Sequence, residues 1–130
     1  MDVVDLREFY ASPLGQAARR LISLRLAARW PNLRGGRLLG LGYAVPYLET
    51  LGRDTERTLA FMPARMGACR WPDAGRPRST LVDEAELPLM DASVDFVLVV
   101  HGLELSEDLP GMLNEVLRVL TPQGRALFVV

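Results

Sequence analysis

Lysine is absent from this chain, and cysteine and histidine occur once each, as Cys69 and His101. A lone cysteine excludes an internal disulfide framework, and without a Cys/His cluster or a CxxC pair the sequence offers no metal or redox motif. A reducing cytoplasm is the expected location. Residues 1–12, with Asp2, Asp5, Arg7 and Glu8, do not form a secretory signal pattern. No apolar run approaches the ~18 residues that a membrane span needs. The formal charge of −1 gives no global attraction to nucleic acid or to an anionic membrane.

What is present is an ordinary globular composition, with 130 residues, 49% hydrophobic and 24% charged, enough for one domain with its own core. Its charge is unevenly spread. Residues 1–78 carry 13 Arg against 7 acids, and residues 79–130 carry 2 Arg against 9 acids. The basic half reads as a solvated surface, the alternative being an Arg-lined face turned toward an acidic partner. Arg70–Arg78, with two prolines and a glycine among its charges, predicts an exposed loop.

Apolar spacing sets the elements. A short amphipathic piece around Val4–Tyr10 is followed by Ser12-Pro13, an N-cap with proline at the first helical position. Leu14, Ala17, Ala18, Leu21, Leu24 and Ala28 then recur at helical intervals, Arg19, Arg20, Arg25 and Arg29 mostly face away, and Pro31 stops the pattern. Short apolar runs follow at Arg37–Leu41, Arg57–Met62, Ser79–Val82, Val94–Val100 and Ala126–Val130. The run VDFVLVV is nearly all apolar and β-branched, which suits a central strand buried on both faces. Leu109, Met112, Leu113, Val116, Leu117 and Leu120 form the stripe of a helix opened by Glu107, Asp108 and Pro110 and stopped by Thr121-Pro122-Gln123-Gly124. Strand, helix and strand make a right-handed parallel crossover. The expected fold is α/β, with a doubly wound, mostly parallel sheet.

Several residues invite a functional reading beside a plainer one. Gly40 and Gly42 form a GxG after the first strand, which is either a cofactor-side turn or a tight strand-to-helix turn without a ligand. Asp83, Glu84 and Glu86 are either a solvated acidic loop or part of a site, and Asp83, at a strand's carboxyl end, is the one favoured for function. His101, just past the fourth strand, is a candidate general base or a satisfied, half-buried histidine. Tyr43 and Tyr47 shield a ligand edge or fill space. Trp30 and Trp71 read as packing residues, and Cys69 as inert.

The segment LPLMDASVDFVLVVHGLELSEDLPGMLNEVLRVLTPQGRALFVV resembles the second half of the class I S-adenosylmethionine-dependent methyltransferase domain, in the type 11 subgroup. The resemblance rests on Leu87-Pro88-Leu89, Val94-Asp95-Phe96-Val97, His101-Gly102-Leu103-Glu104 and Arg118-Val119-Leu120-Thr121-Pro122-Gln123-Gly124. It implies a Rossmann-like fold lacking the C-terminal strand pair, with S-adenosylmethionine lying across the carboxyl ends of the first strands. The family's acidic-x-Gly-x-Gly-x-Gly series falls on Gly40, Gly42, Ala44 and Pro46, so one glycine matches and Gly40 stands where the acid belongs. The ribose carboxylate falls on Met62, and the acid for the adenine amino group matches at Asp83. Gly40, Gly42, Tyr43, Ala44, Met62, Asp83, Glu84 and His101 are the implied cofactor-site residues, with His101 also the candidate catalytic residue and no metal ligand among them. The family's second histidine, four residues later, is Leu105 here.

The resemblance also implies a single methyltransferase-like domain over residues 1–130, with helices in 1–31 and a cofactor-binding core in 36–130. The family continues past the fifth strand, so the chain reads as part of a longer protein. If it folds as it stands, its last strand leaves an edge through which a homodimer would pair. Three functions follow: methyl transfer from S-adenosylmethionine to an unidentified acceptor; a non-catalytic binding or scaffold protein on a degenerate methyltransferase fold; and a nicotinamide-dependent oxidoreductase, which fits poorly because Val45 stands where GxGxxG needs its last glycine.

Overall fold

Ser12 opens the long N-terminal helix in the computed structural model, which describes residues 3–64 and 80–130. Its backbone is extended, with φ −77° and ψ 159°, and its hydroxyl accepts the Gly15 N–H at 3.0 Å. Helix α1 (Val3–Ala11) and helix α2 (Pro13–Arg29) therefore meet at a one-residue elbow. A Cβ at Gly15 would lie 1.8 Å from the Phe9 carbonyl oxygen, so glycine permits this approach. The contact also fixes the rotation of α2. Gly15 and Leu26 are buried and Ile22 packs on the core, while the expected apolar stripe is turned outward, leaving Leu14, Leu21 and Leu24 66–71% exposed.

After α2 come β1 (Arg37–Gly42), α3 (Val45–Leu51), β2 (Arg57–Pro63), β3 (Thr80–Val82), β4 (Val94–Val100), α4 (Gly102–Leu105), α5 (Leu109–Val119) and β5 (Leu120–Val129). The strands form one sheet in the order β3-β2-β1-β4-β5, every neighbouring pair parallel. As the apolar run required, β4 is interior, and Val97, Leu98, Val99 and Val100 have no exposed surface. Leu38, Leu98 and Val100 face Leu6, Tyr10, Leu26 and Tyr47 from α1–α3. Leu39, Leu41, Val97 and Val99 face Met112, Val116 and Val119 of α5 on the other side. The sheet is thus covered on both faces, as a doubly wound fold is.

The resemblance motifs Leu87-Pro88-Leu89 and Arg118-Val119-Leu120 meet in space. Arg118 donates to the carbonyls of Leu87 at 2.9 Å and Leu89 at 2.8 Å, and to Asp91 at 2.8 Å, while Glu115 accepts the Leu87 N–H at 2.7 Å. One guanidinium pins the turn before β4 to the last turn of α5. Helix α5 stops at Val119, one residue before the end of the expected stripe, and Leu120 together with the expected stop at Thr121–Gly124 belongs to β5. Leu120 pairs with Val94 and Arg125 with Phe96, so the segment between them bulges out of register. The short α4 was not expected. Cys69, the Arg70–Arg78 loop with Trp71, and Ser79 lie outside the described residues. Among the described residues no helix is long and apolar enough to cross a membrane.

Candidate functional site at the carboxyl edge of the sheet

Because all five strands run the same way, their carboxyl ends share one edge. Gly42 is level with Val100, Leu41 with Phe61, and Pro63 with Val82. Gly42, Met62, Asp83 and His101 therefore stand at or next to successive strand exits, with only β2 between the strands of Gly42 and Asp83, an offset of about 10 Å at ordinary strand spacing. Gly42 has φ +90°, and a Cβ there would lie 2.4 Å from the Val100 carbonyl oxygen, which already accepts the Tyr43 N–H at 2.8 Å. Only glycine suits that turn. Gly40 is crowded by α3: a Cβ would sit 2.6 Å from a Leu48 methyl and 2.8 Å from the Ala44 Cβ, so a larger side chain there requires α3 to shift. Ala44 and Met62 are both 1% exposed, and Met62 packs in the core with Tyr43 and Tyr47.

Asp83 is exposed and closes an Asx turn, its Oδ1 accepting the Ala85 N–H at 2.9 Å. It lines a pocket of about 450 Å³ with Pro63, Ala64, Val82, Glu107 and Asp108 among its neighbours. Glu84 departs from a solvated loop. It is 6% exposed and accepts from the Ser106 hydroxyl and, at 3.2 Å, from the Glu107 N–H, tying the turn after β3 to the approach to α5. Burial with such partners marks it as a structural brace of the pocket wall.

His101 takes a left-handed backbone, φ 56°, and its N–H donates to the Val129 carbonyl at 2.8 Å. Its Nδ1 lies 2.9 Å from Glu104 Oε2 and its Nε2 3.0 Å from the Tyr10 hydroxyl, which is 2.7 Å from the Tyr47 hydroxyl. Ionised Glu104 can only accept, so the network assigns the proton of the neutral ring to Nδ1, makes Nε2 the acceptor of the Tyr10 O–H, and leaves Tyr47 donating to Tyr10. Burial pushes the ionisation of both Tyr10 and Tyr47 upward. The Tyr10 ring stacks on Tyr43 with centroids 5.5 Å apart and planes at 10°, roofing the turn after β1. Tyr43 and Tyr47 are 2% and 1% exposed, consistent with filling space. Sequence reading missed Tyr10 because nothing in Val4–Tyr10 marks a residue that closes over a strand 91 positions away.

A model of the methyltransferase domain family matches residues 39–128, most of the sheet. The chain belongs to the methyltransferase domain family. It is 35% identical over 92 residues to the malonyl-[acyl-carrier protein] O-methyltransferase of Halorhodospira halophila, the match covering 68% of this chain and 31% of that protein. A methyltransferase solved in complex with the Haloferax volcanii Trm112 methyltransferase activator superposes with TM-score 0.66 at 25% identity, over 88% of this chain and 53% of that one. An S-adenosyl-L-methionine-dependent methyltransferase from Methanococcus maripaludis shares the fold at TM-score 0.74 and 15% identity, over 98% and 63% of the two chains. The chain thus spans about a third of that curated relative.

S-adenosylmethionine is the cofactor of this family in general. The residues present suit it at one place: Asp83 offers its Oδ2 beside a partly apolar pocket, whereas at Gly42 the Cβ position is taken by the Val100 carbonyl oxygen. Met62, the residue that the resemblance sets against the ribose, supplies no carboxylate and is 1% exposed, and the Tyr10 ring stacks over Tyr43. Among the described residues no cluster of three or more His, Cys, Asp or Glu side chains could hold a metal ion.

Proposed function

We propose that this chain binds S-adenosylmethionine and transfers its methyl group, the reading carried by Gly42 and Asp83 on one edge of a methyltransferase-family sheet. The cofactor, once bound, supplies a methyl group already activated on a sulfonium, so the chain's task is to hold and orient rather than to activate. In this reading Asp83 holds the adenine amino group, Gly42 gives the turn after β1 its left-handed bend, and Tyr10 closes the edge against water. His101, oriented by Glu104, takes an acceptor proton only where Nε2 is released by Tyr10. An oxygen acceptor is the first class to test, since the curated relative is named for O-methylation of a malonyl group. A protein activator and pairing through β5 are the partners to test.

Calorimetry with S-adenosylmethionine and its demethylated product is the direct measurement. Heat and a thermal upshift at millimolar ligand are expected. Silence with both ligands, on folded protein, would instead leave a scaffold.

A further inference from the structure

At the opposite edge, where the strands begin, the Pro31–Gly36 loop faces the bulged Thr121–Gly124 segment of β5 across a cavity of about 930 Å³. Its volume lies within the usual range of ligand sites. The half-buried Phe96 ring lines it, backed by Trp30, which is 6% exposed and packs edge-to-face on it with centroids 5.2 Å apart. Gly36 allows the loop to close on this apolar surface, since a Cβ there would meet the Phe96 ring at 2.8 Å.

Three guanidiniums line the cavity from three separate elements: Arg29 from the end of α2, Arg34 from the loop and Arg125 from β5. Each is exposed, and among the described residues none has a side-chain hydrogen bond or ion pair. Arg37 is paired with Asp95 and Arg118 with Asp91 and Glu115, whereas Arg20, Arg25, Arg53 and Arg57 are, like these three, exposed without a side-chain partner among the described residues; what sets these three apart is that they line one cavity. Asp95, the one acid of the cavity, is already engaged, its Oδ2 accepting from the Arg37 N–H at 2.9 Å and Nε at 3.3 Å. The field in the cavity is therefore positive. Arg34 also stands on an ordered turn. Its own N–H donates to Asn32 at 2.9 Å, Gly36 N–H to Leu33 at 2.9 Å, and Gly35 N–H to Asp54 at 2.9 Å. Guanidiniums without a protein partner, beside the half-buried Phe96 ring, match an anion attached to a planar ring, through forked hydrogen bonds to its oxygens and ring contact alongside.

We propose that this cavity binds a small aromatic phosphate, at a site separate from the cofactor edge. Its occupancy does not depend on whether the carboxyl edge binds S-adenosylmethionine.

Phenyl phosphate and inorganic phosphate are the probes, titrated into the whole chain by calorimetry at low salt. Phenyl phosphate is expected to bind more tightly than inorganic phosphate, and each of Arg34→Gln and Arg125→Gln to weaken it about tenfold, as loss of one charge-assisted contact would. S-adenosylmethionine titrations should be unchanged in both variants. Absence of heat at about 10 mM phenyl phosphate, equal affinity for the two probes, or wild-type affinity in the double variant overturns the proposal; ~10 mM is the weak end of specific ligand binding. Should a variant fail to give the wild-type thermal transition, amide shifts of Gly35 and Gly36 in the wild-type chain decide: they move on adding phenyl phosphate, or the site is not there.

Discussion

Tyr10 and His101 lie 91 residues apart in sequence and share a 3.0 Å hydrogen bond above the exits of β1 and β4. That bond joins the first helix to the corner leaving β4. It also orders a chain of donors from Tyr47 through Tyr10 and His101 to Glu104.

Tyr10→Phe keeps the ring on Tyr43 and removes the hydroxyl, leaving the Tyr47 O–H and His101 Nε2 short of a partner. A loss of about 1–3 kcal/mol in urea unfolding is expected. Nitrogen NMR of the single imidazole should show Nδ1 protonated in the neutral ring. An Nε2–H tautomer would contradict the donor order.

Gly42→Ala places a methyl group against the Val100 carbonyl at φ +90°. Strain and overlap together should cost about 2 kcal/mol or more. Gly35→Ala is the control: φ is +75° but the space is open, so a cost of about 1 kcal/mol is expected from backbone strain alone. Equal losses in the two variants would remove the packing argument for Gly42.

Asp83 and Glu84 adjoin in sequence and should separate in experiment. Asp83→Ala is expected to weaken S-adenosylmethionine about tenfold, the size of one hydrogen bond to a charged group, with little change in stability. Glu84→Ala should lower the unfolding free energy by about 1–3 kcal/mol, because Ser106 and the Glu107 N–H lose a buried acceptor.

Stability should fall at both ends of the pH scale for opposite reasons. The hydrogen bond from Arg118 holds the Glu115 carboxyl below its ordinary value of 4.5, so its contribution is present above that pH and lost as pH falls through the lower folded-state value. Glu115→Gln should flatten the acid limb of a stability–pH curve. Tyr10 and Tyr47 are shifted upward from 10.0, so their contribution is intact below that pH and lost as pH rises. Their ionisation at 295 nm should coincide with alkaline unfolding.

The sheet was legible in the sequence because a strand buried on both faces must be apolar throughout, and Val94–Val100 came out at its expected bounds. Ser12-Pro13 and Asp108 were legible because caps are local chemistry: each side chain bonds a nearby N–H. The α2 stripe misled. Periodicity marks an apolar face but not what covers it, and the rotation of that helix is set by Gly15 against Phe9. At the carboxyl edge, Asp83 could be placed from its strand end, whereas the Tyr10 roof and the burial of Glu84 depend on long-range packing that spacing does not encode. Gly40 stood out as a departure from the family, and its crowding became visible only with Leu48 packed against it.

The Tyr43 N–H is fastened to the Val100 carbonyl, and the His101 N–H to the Val129 carbonyl, each at 2.8 Å. These two rivets run across three neighbouring strands, so the loop leaving β1 and the corner leaving β4 are mechanically one piece with the outermost strand. Displacing that outer strand would move the carbonyl that holds the His101 N–H, and with it the pivot that carries the imidazole.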